Sequence, residues 1–278
     1  LFQKGQWVKK LEAAGARVKK SQIIAQVSLS RTVGDAAWCE YLEAQLRPLF
    51  RPGVLFFNRM NPNELQRWYA QHWDPAKPVT ANDYTAWDTG VDAVFLAFDQ
   101  WLMRHFSFPE WYVEQVGHHR AQSRTFLGPY PIMQPSGDRY TLLLNSMRNL
   151  ALTGASLDFA PGTPIAVCGD DSAVCGQHAT PRTFQSHLWR MQPKRSVSDV
   201  AEFCGWSFGA HELTVSLPAL THRARIGLQR GLASPDYWRS VLELYDLTCG
   251  EPWDYSELRG LFDDVRRHLW RGMPDPFE

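Results

Sequence analysis

Residues 164–176 read Pro-Ile-Ala-Val-Cys-Gly-Asp-Asp-Ser-Ala-Val-Cys-Gly. Two short runs of small and β-branched residues flank a Gly-Asp-Asp tip, which predicts a β-hairpin. Gly169 permits the tight turn, and the two aspartates tolerate turn geometry. Presenting Asp170 and Asp171 side by side costs stability, because adjacent like charges repel unless a cation lies between them. The tip is therefore open to two readings: a solvated Asp-rich turn, or half of a divalent-metal site. A partner carboxylate elsewhere in the chain has to decide between them.

Composition narrows the class before it names a site. Hydrophobic residues make up 44% of the 278 and charged residues 21%, the profile of a folded chain rather than a disordered one. Twelve Trp and 15 Phe allow a large aromatic core. No apolar run approaches the length needed to cross a membrane, and no signal-peptide pattern opens the chain. It begins at Leu1 without an initiator Met, so an excised piece of a longer protein is expected. Formal net charge is zero, so bulk charge does not announce a nucleic-acid binder. The five cysteines (Cys39, Cys168, Cys175, Cys204, Cys249) lack paired zinc spacing. A Cys168–Cys175 bridge across the hairpin is conceivable, but an odd count without a secretory signal argues for reduced thiols that pack.

Along the chain, residues 1–35 are basic, with Lys4, Lys9, Lys10, Arg17, Lys19, Lys20 and Arg31 against Glu12 and Asp35. Alternation around Gln6–Lys9 and Val18–Val27 predicts strands, whose lysines either protect an edge or line a channel for phosphates. Helices are expected at 34–50, with Trp38, Leu42 and Leu46 on one face, and at 63–73 behind Asn61-Pro62-Asn63. Val79–Tyr84 predicts a strand, followed by a helix over Val91–Phe106 with Val94, Phe95, Phe98, Trp101 and Leu102 as its buried stripe. Asp88 is placed to cap that helix, whereas Asp83 sits in a β-favouring run where an unpartnered carboxylate is costly. Residues 107–135 read as a Pro- and Gly-interrupted connector. Ser136-Gly137 leads into a helix to Thr153, capped by Ser136 or Asp138, on which Thr141, Asn145 and Asn149 share a polar stripe. That stripe can bond neighbouring backbone or receive a ribose or base edge. Beyond the hairpin, Thr183–Gln192 predicts a helix, Ala201–Phe208 and Leu213–Leu217 two strands around Gly209, and the chain from Pro218 is helical and basic.

Three signals thus stand in fixed order: a strand-borne Asp83 with Asp88 five residues on, a Ser-Gly loop with a Thr/Asn helix, and the Gly-Asp-Asp hairpin. In that order they resemble the palm of a viral RNA-dependent RNA polymerase of the alphavirus-like superfamily, in the version found in the order Tymovirales. Asn82-Asp83-Tyr84-Thr85-Ala86-Trp87-Asp88 resembles motif A, with Trp87 where Phe is common. Ser136-Gly137-Asp138-Arg139-Tyr140-Thr141, with Asn145, resembles motif B, and Val167-Cys168-Gly169-Asp170-Asp171 resembles motif C. Phe203-Cys204-Gly205-Trp206 resembles the segment after the palm helix. Lys194 falls at the motif D position and the N-terminal ribbon at that of motif F, both placed by position alone.

The resemblance implies an α+β right-hand polymerase with an antiparallel palm sheet. Residues 1–77 would form part of the fingers, 78–106 the palm with motif A, 107–135 a fingers insertion, 136–217 the remaining palm, and 218–278 the start of a thumb. It implies template-directed RNA synthesis for a positive-strand RNA virus, with NTPs, an RNA template and a primer or product strand as partners. Two Mg2+ or Mn2+ ions would be held by Asp83 and Asp170, with Asp171 assisting, which suits cations that take oxygen ligands. Asp88 and Asn145, with Ser136 or Thr141, would sense the ribose 2′-hydroxyl, which both donates and accepts a hydrogen bond, and Gly137 would join them in binding the nucleotide. Lys194 would be the general acid for pyrophosphate, and Lys9, Lys10, Arg17, Lys19 and Lys20 would neutralise phosphates. Family relatives carry capping and helicase domains on the same polyprotein and work in the host cytoplasm on membrane-associated complexes. Two other readings remain: a reverse transcriptase, against which Asp88 and Asn145 argue, and a non-catalytic RNA-binding palm, against which the three aspartates argue.

Overall fold

A computed structural model describes residues 2–3, 23–24, 27–84, 87–125, 128–129, 132–185, 190–191, 193–209, 213–215, 220–221, 224, 226–227, 235–248, 260 and 267. In chain order the elements begin with β1 (Phe2–Gln3), β2 (Ile23–Ile24), α1 (Leu29–Leu46), β3 (Val54–Phe56), α2 (Pro62–His72) and β4 (Val79–Tyr84). Next come α3 (Trp87–Gly90), α4 (Ala93–His105), α5 (Glu110–Gln122), β5 (Arg124–Thr125), β6 (Gly128–Pro129) and α6 (Thr141–Ser156). They continue as β7 (Ile165–Cys168), β8 (Asp171–Cys175), β9 (Pro193–Ser198), β10 (Ala201–Phe203), β11 (Trp206–Phe208), β12 (Thr214–Val215) and α7 (Pro235–Thr248). A five-stranded sheet has the order β3-β7-β8-β4-β9. It is mixed rather than antiparallel as expected, because β3 pairs parallel to β7 with Val54 opposite Ile165.

The chain divides into two compact units. The first comprises residues 1–58, 82–172 and 178–195. Its main core gathers Cys39, Leu42 and Leu46 of α1, Leu102 and Met103 of α4, Tyr112, Val113 and Val116 of α5, and Leu143, Leu144 and Met147 of α6. Within α1, α5 and α6 these positions include three- and four-residue steps, so one apolar stripe of each faces the others. Trp38 packs on Tyr112 at a centroid distance of 5.0 Å. A smaller cluster joins Tyr84, Trp87, Val91, Phe95, Leu152 and Met191. Asp92, rather than Asp88, caps α4 by accepting from the Val94 and Phe95 amides.

The second unit comprises residues 59–81, 173–177 and 196–278. Asn61 and Glu64 form a reciprocal capping box at the start of α2, with Pro62 behind the cap. Phe208 meets Trp73 edge-on at 4.8 Å, beside the stacked Tyr69. Gly209 has φ +92°, and a Cβ there would fall 2.1 Å from the Asp199 carbonyl, so only glycine fits. Leu220, Ala224, Trp238, Val241 and Tyr245 make a separate apolar cluster.

Several expectations need correction. The 107–135 connector contains a 13-residue helix, α5, because Pro109 lies ahead of its first turn, where a missing N–H is harmless. On α4, Val94 and Trp101 are 57% and 56% exposed, and the buried positions are Phe95, Leu96, Asp99, Leu102 and Met103. The 201–208 run is a hairpin, turning at Cys204 and Gly205 with φ 50° and 84°. Residues 183–185 and 190–191 are turn, coil and bend, and the remainder of that predicted helix lies outside the described residues. The helix at 141 has no side-chain cap from Ser136 or Asp138. Cys39, Cys168, Cys175 and Cys204 are in no disulfide, in line with the reduced thiols expected.

Candidate active site

All the carboxylates of interest belong to the first unit, and strand alternation places them. In β4, Asn82 is buried, Asp83 exposed and Tyr84 buried; in β8, Asp171 is exposed and Ser172 buried. The Asn82 amide donates to Ser172 Oγ at 3.1 Å, tying the two neighbouring strands together on the buried face. Side chains one residue along point the opposite way, so Asp83 and Asp171 share the exposed face. Arg195 of β9 reaches the same buried side, donating to Asn82 Oδ1 at 3.2 Å and to Ser156 Oγ at 2.9 Å. Lys194, one position earlier and exposed, therefore projects on the Asp83 face.

The Gly-Asp-Asp turn is gripped from beneath by α6. Gly169, at φ +60°, donates its N–H to Ser146 Oγ at 2.7 Å, and its carbonyl accepts from the Asn149 amide at 3.2 Å. Asn149 Oδ1 also accepts from the Tyr84 hydroxyl (3.3 Å) and from Ser172 (3.2 Å), linking turn, helix and β4. Asp170 and Asp171 stand exposed at the tip. Burial pushes the Tyr84 hydroxyl far above its usual pKa against the opposing pull of Thr153 and Arg195, and the Asp170 charge adds to the shift, so it stays a neutral donor.

Around Asp88 the structure assembles a second group. Asn145, buried on α6, donates to Asp88 Oδ1 at 3.2 Å. Burial raises the Asp88 pKa, the Asn145 hydrogen bond opposes that shift, and the Asp170 charge reinforces it. The Asp88 carbonyl accepts from the Gln134 amide at 2.9 Å. Thr141 is spent on the loop: its hydroxyl faces the carbonyls of Pro135 (2.9 Å) and Asp138 (2.8 Å) and accepts from Gln134 Nε2. Ser136 and Gly137 are half-buried in the turn between them, closed by the Asp138 amide on the Pro135 carbonyl. Lys9, Lys10, Arg17, Lys19 and Lys20 lie outside the described residues.

Sequence reasoning missed the scaffold under this group. Asp138 accepts from Arg31 (3.3 Å) and Arg120 (3.2 Å), while Arg148 is fully buried against Asp99. Gln134 Oε1 accepts from Arg120 at 2.8 Å and from Arg148 at 2.9 Å. Tyr112 closes the far end, donating to Asp35 at 2.6 Å. The only hint in the sequence was an arginine inside an apolar helical stretch.

The donor set at the sheet face suits a hard divalent cation, being all carboxylate oxygen and open to water. The side chains are not gathered for one: among the described residues no three His, Cys, Asp or Glu side chains are grouped so as to hold a metal ion. Asp83 Oδ1 instead accepts from the Tyr84 N–H at 2.8 Å, a bond it has to release in order to ligate.

A family profile described as RNA dependent RNA polymerase matches residues 25–218, and the chain belongs to that family. Its relatives set it on the alphavirus-like, Tymovirales side. It is 32% identical to the RNA replication protein of Botrytis virus F over 248 residues, covering 87% of this chain and 13% of that protein. It is 34% identical to the RNA replication protein of Papaya mosaic potexvirus over 218 residues, covering 74% of this chain and 14% of the relative. The chain thus spans a small fraction of these relatives' length. The RNA-dependent RNA polymerase of a human picorbirnavirus superposes with a TM-score of 0.60 at 13% identity, covering 92% of this chain and 54% of that one. The fold is that of the right-hand viral polymerases, α+β as expected.

Proposed function

We propose that this chain carries the catalytic palm of a replicase that transfers nucleotides from NTPs to an RNA 3′-hydroxyl under an RNA template, copying a positive-strand viral genome. The observation that carries this reading is the Asn82–Ser172 bond, which commits Asp83 and Asp171 to one exposed face beside the α6-gripped turn. Asp83 and Asp170, assisted by Asp171, would hold two Mg2+ or Mn2+ ions. Bound there, such ions acidify the 3′-hydroxyl and steady the triphosphate. Asp88 and Asn145 read the ribose, Ser136 and Gly137 shape the loop above it, and Lys194 protonates the departing pyrophosphate. Lys9, Lys10, Arg17, Lys19 and Lys20 neutralise triphosphate and template phosphates.

The domain plan follows the family: fingers in 1–77 and 107–135, palm in 78–106 and 136–217, the start of a thumb in 218–278. Relatives include a protein named as an RNA replication polyprotein, from Citrus leaf blotch virus. Capping and helicase domains are the proposed partners, at membrane-associated complexes in the host cytoplasm. Among the described residues no helix is long and apolar enough to cross a membrane.

The test is primer extension on an RNA template with UTP or dTTP, using the chain and its Asp170→Asn variant. Extension with UTP, lost in the variant while RNA affinity persists, is the expected result. A preference for dTTP would overturn the RNA polymerase reading, and full synthesis by Asp170→Asn would overturn the metal assignment.

A further inference from the structure

We infer that Arg148 is a positioning residue that sets ribose selectivity by fixing which way the Asn145 amide faces. The inference rests on the polymerase reading above. Arg148 has no exposed side-chain surface. Its Nε donates to Asp99 Oδ1 at 2.9 Å and its Nη2 to the other carboxylate oxygen, a forked pair that holds the guanidinium plane. Nη1 then donates to Asn145 Oδ1 at 2.7 Å and to Gln134 Oε1 at 2.9 Å.

A guanidinium has only donors, so the Asn145 edge facing it must be the carbonyl oxygen. The amide nitrogen is thereby turned to Asp88, which takes one of its two hydrogens at 3.2 Å. The pair then offers a carboxylate acceptor and an amide donor side by side. A 2′-hydroxyl donates one hydrogen bond and accepts another, and matches that polarity. With the amide reversed, two oxygens would face the ribose and half of the match would be lost.

Gln134 references both members of the sensor to one point. Its backbone N–H holds the Asp88 carbonyl at 2.9 Å, and its side-chain oxygen receives Arg148. The same oxygen receives Arg120, whose charge is met by Asp138. Arg31, Arg120 and Arg148 are thus matched by Asp35, Asp138 and Asp99. Neutralising Asp99 would be a sufficient structural reason for an arginine here, so the test must read something that neutralisation does not move.

That readout is the ratio of kcat/KM for ATP to kcat/KM for 2′-deoxy-ATP in primer extension. Both substrates meet the same preparation, so losses of folded enzyme cancel. Arg148→Met combined with Asp99→Leu removes both buried charges, a replacement that buried ion pairs often tolerate. Arg148→Lys keeps the charge but not the fork, and covers the case in which the double variant does not fold. The ratio is expected to fall by about tenfold or more in each folded variant, as when a substrate hydroxyl loses one of its partners. A wild-type ratio in a folded, active variant overturns the inference and leaves Arg148 as a counter-ion. Absence of template-directed incorporation by the unsubstituted chain would overturn the polymerase reading and this one together.

Discussion

Two sets of three aspartates share the first unit and live by different rules. Asp35, Asp99 and Asp138 are buried, and each is met by an arginine. Asp83, Asp170 and Asp171 are exposed, two of them adjacent in sequence on a turn. In the interior an unmatched carboxylate costs several kcal/mol, so its counter-charge has to be built into the fold. At the surface, water carries that load, and neighbouring negative charges can be kept for an external cation. The comparison teaches that bracing and the proposed chemistry are divided by burial, although the side chain is the same.

The division is broken most directly by substituting one member of each set. Asp83→Asn should lower primer extension by roughly 10²–10³-fold, the range lost with a single transition-state stabilising group. Because Asp83 is exposed, its unfolding midpoint should hardly move. Asp99→Ala should do the reverse, costing about 3–5 kcal/mol in urea unfolding by stranding the Arg148 charge. A stable Asp99→Ala protein would show that the buried pair is dispensable.

Ser146→Ala probes the junction of the two sets, since its hydroxyl accepts from the Gly169 N–H. Leaving that buried donor unmet should cost about 1–3 kcal/mol and slow extension by loosening the Gly-Asp-Asp turn. Retained stability together with a full extension rate would show that the turn holds itself.

The smallest effect concerns Asp88, which is half-buried and belongs wholly to neither set. Burial raises its folded pKa above the unfolded value, despite the Asn145 hydrogen bond. The folded state therefore holds this proton more tightly. The stability so gained is complete at low pH and lost as pH rises through the raised value. Asp88→Asn removes the titration, so urea midpoints measured from about pH 3 to pH 7 should drift in the variant's favour as pH rises. A drift toward the wild type would mean that the hydrogen bond outweighs burial.

What was legible in the sequence was what short-range rules encode. The strand Val79–Tyr84 falls where its β-favouring run placed it, Asn61 caps α2, and the hairpin turns at Gly169 because only a residue free of a Cβ takes φ +60° cheaply. The order of the motifs then carried the family. The bracing network was not legible, because Arg31 meets Asp138 across 107 residues and Arg148 meets Asp99 across 49. No local pattern marks such pairs. Val94 and Trp101 were misplaced for another reason: hydrophobicity sets a preference for burial, but only packing against α5 and α6 decides which stripe of α4 is covered. For Thr141 both a backbone and a ribose partner were open, and its hydroxyl faces the loop carbonyls of its own turn.

The sheet order β3-β7-β8-β4-β9 also fixes a timetable. Val54 pairs with Ile165, about 110 residues further on, so at ribosomal rates of about 5–20 residues per second β3 waits about 5–20 s for its partner. The strand bearing Asp83 likewise emerges long before β8 or β9 exists to flank it. During that interval both its edges are open to strangers. A nascent chain of this kind needs either a chaperone's shelter or fast collapse of α4 and α5 alongside it. The residues proposed for the chemistry are, for those seconds, the most exposed to going astray.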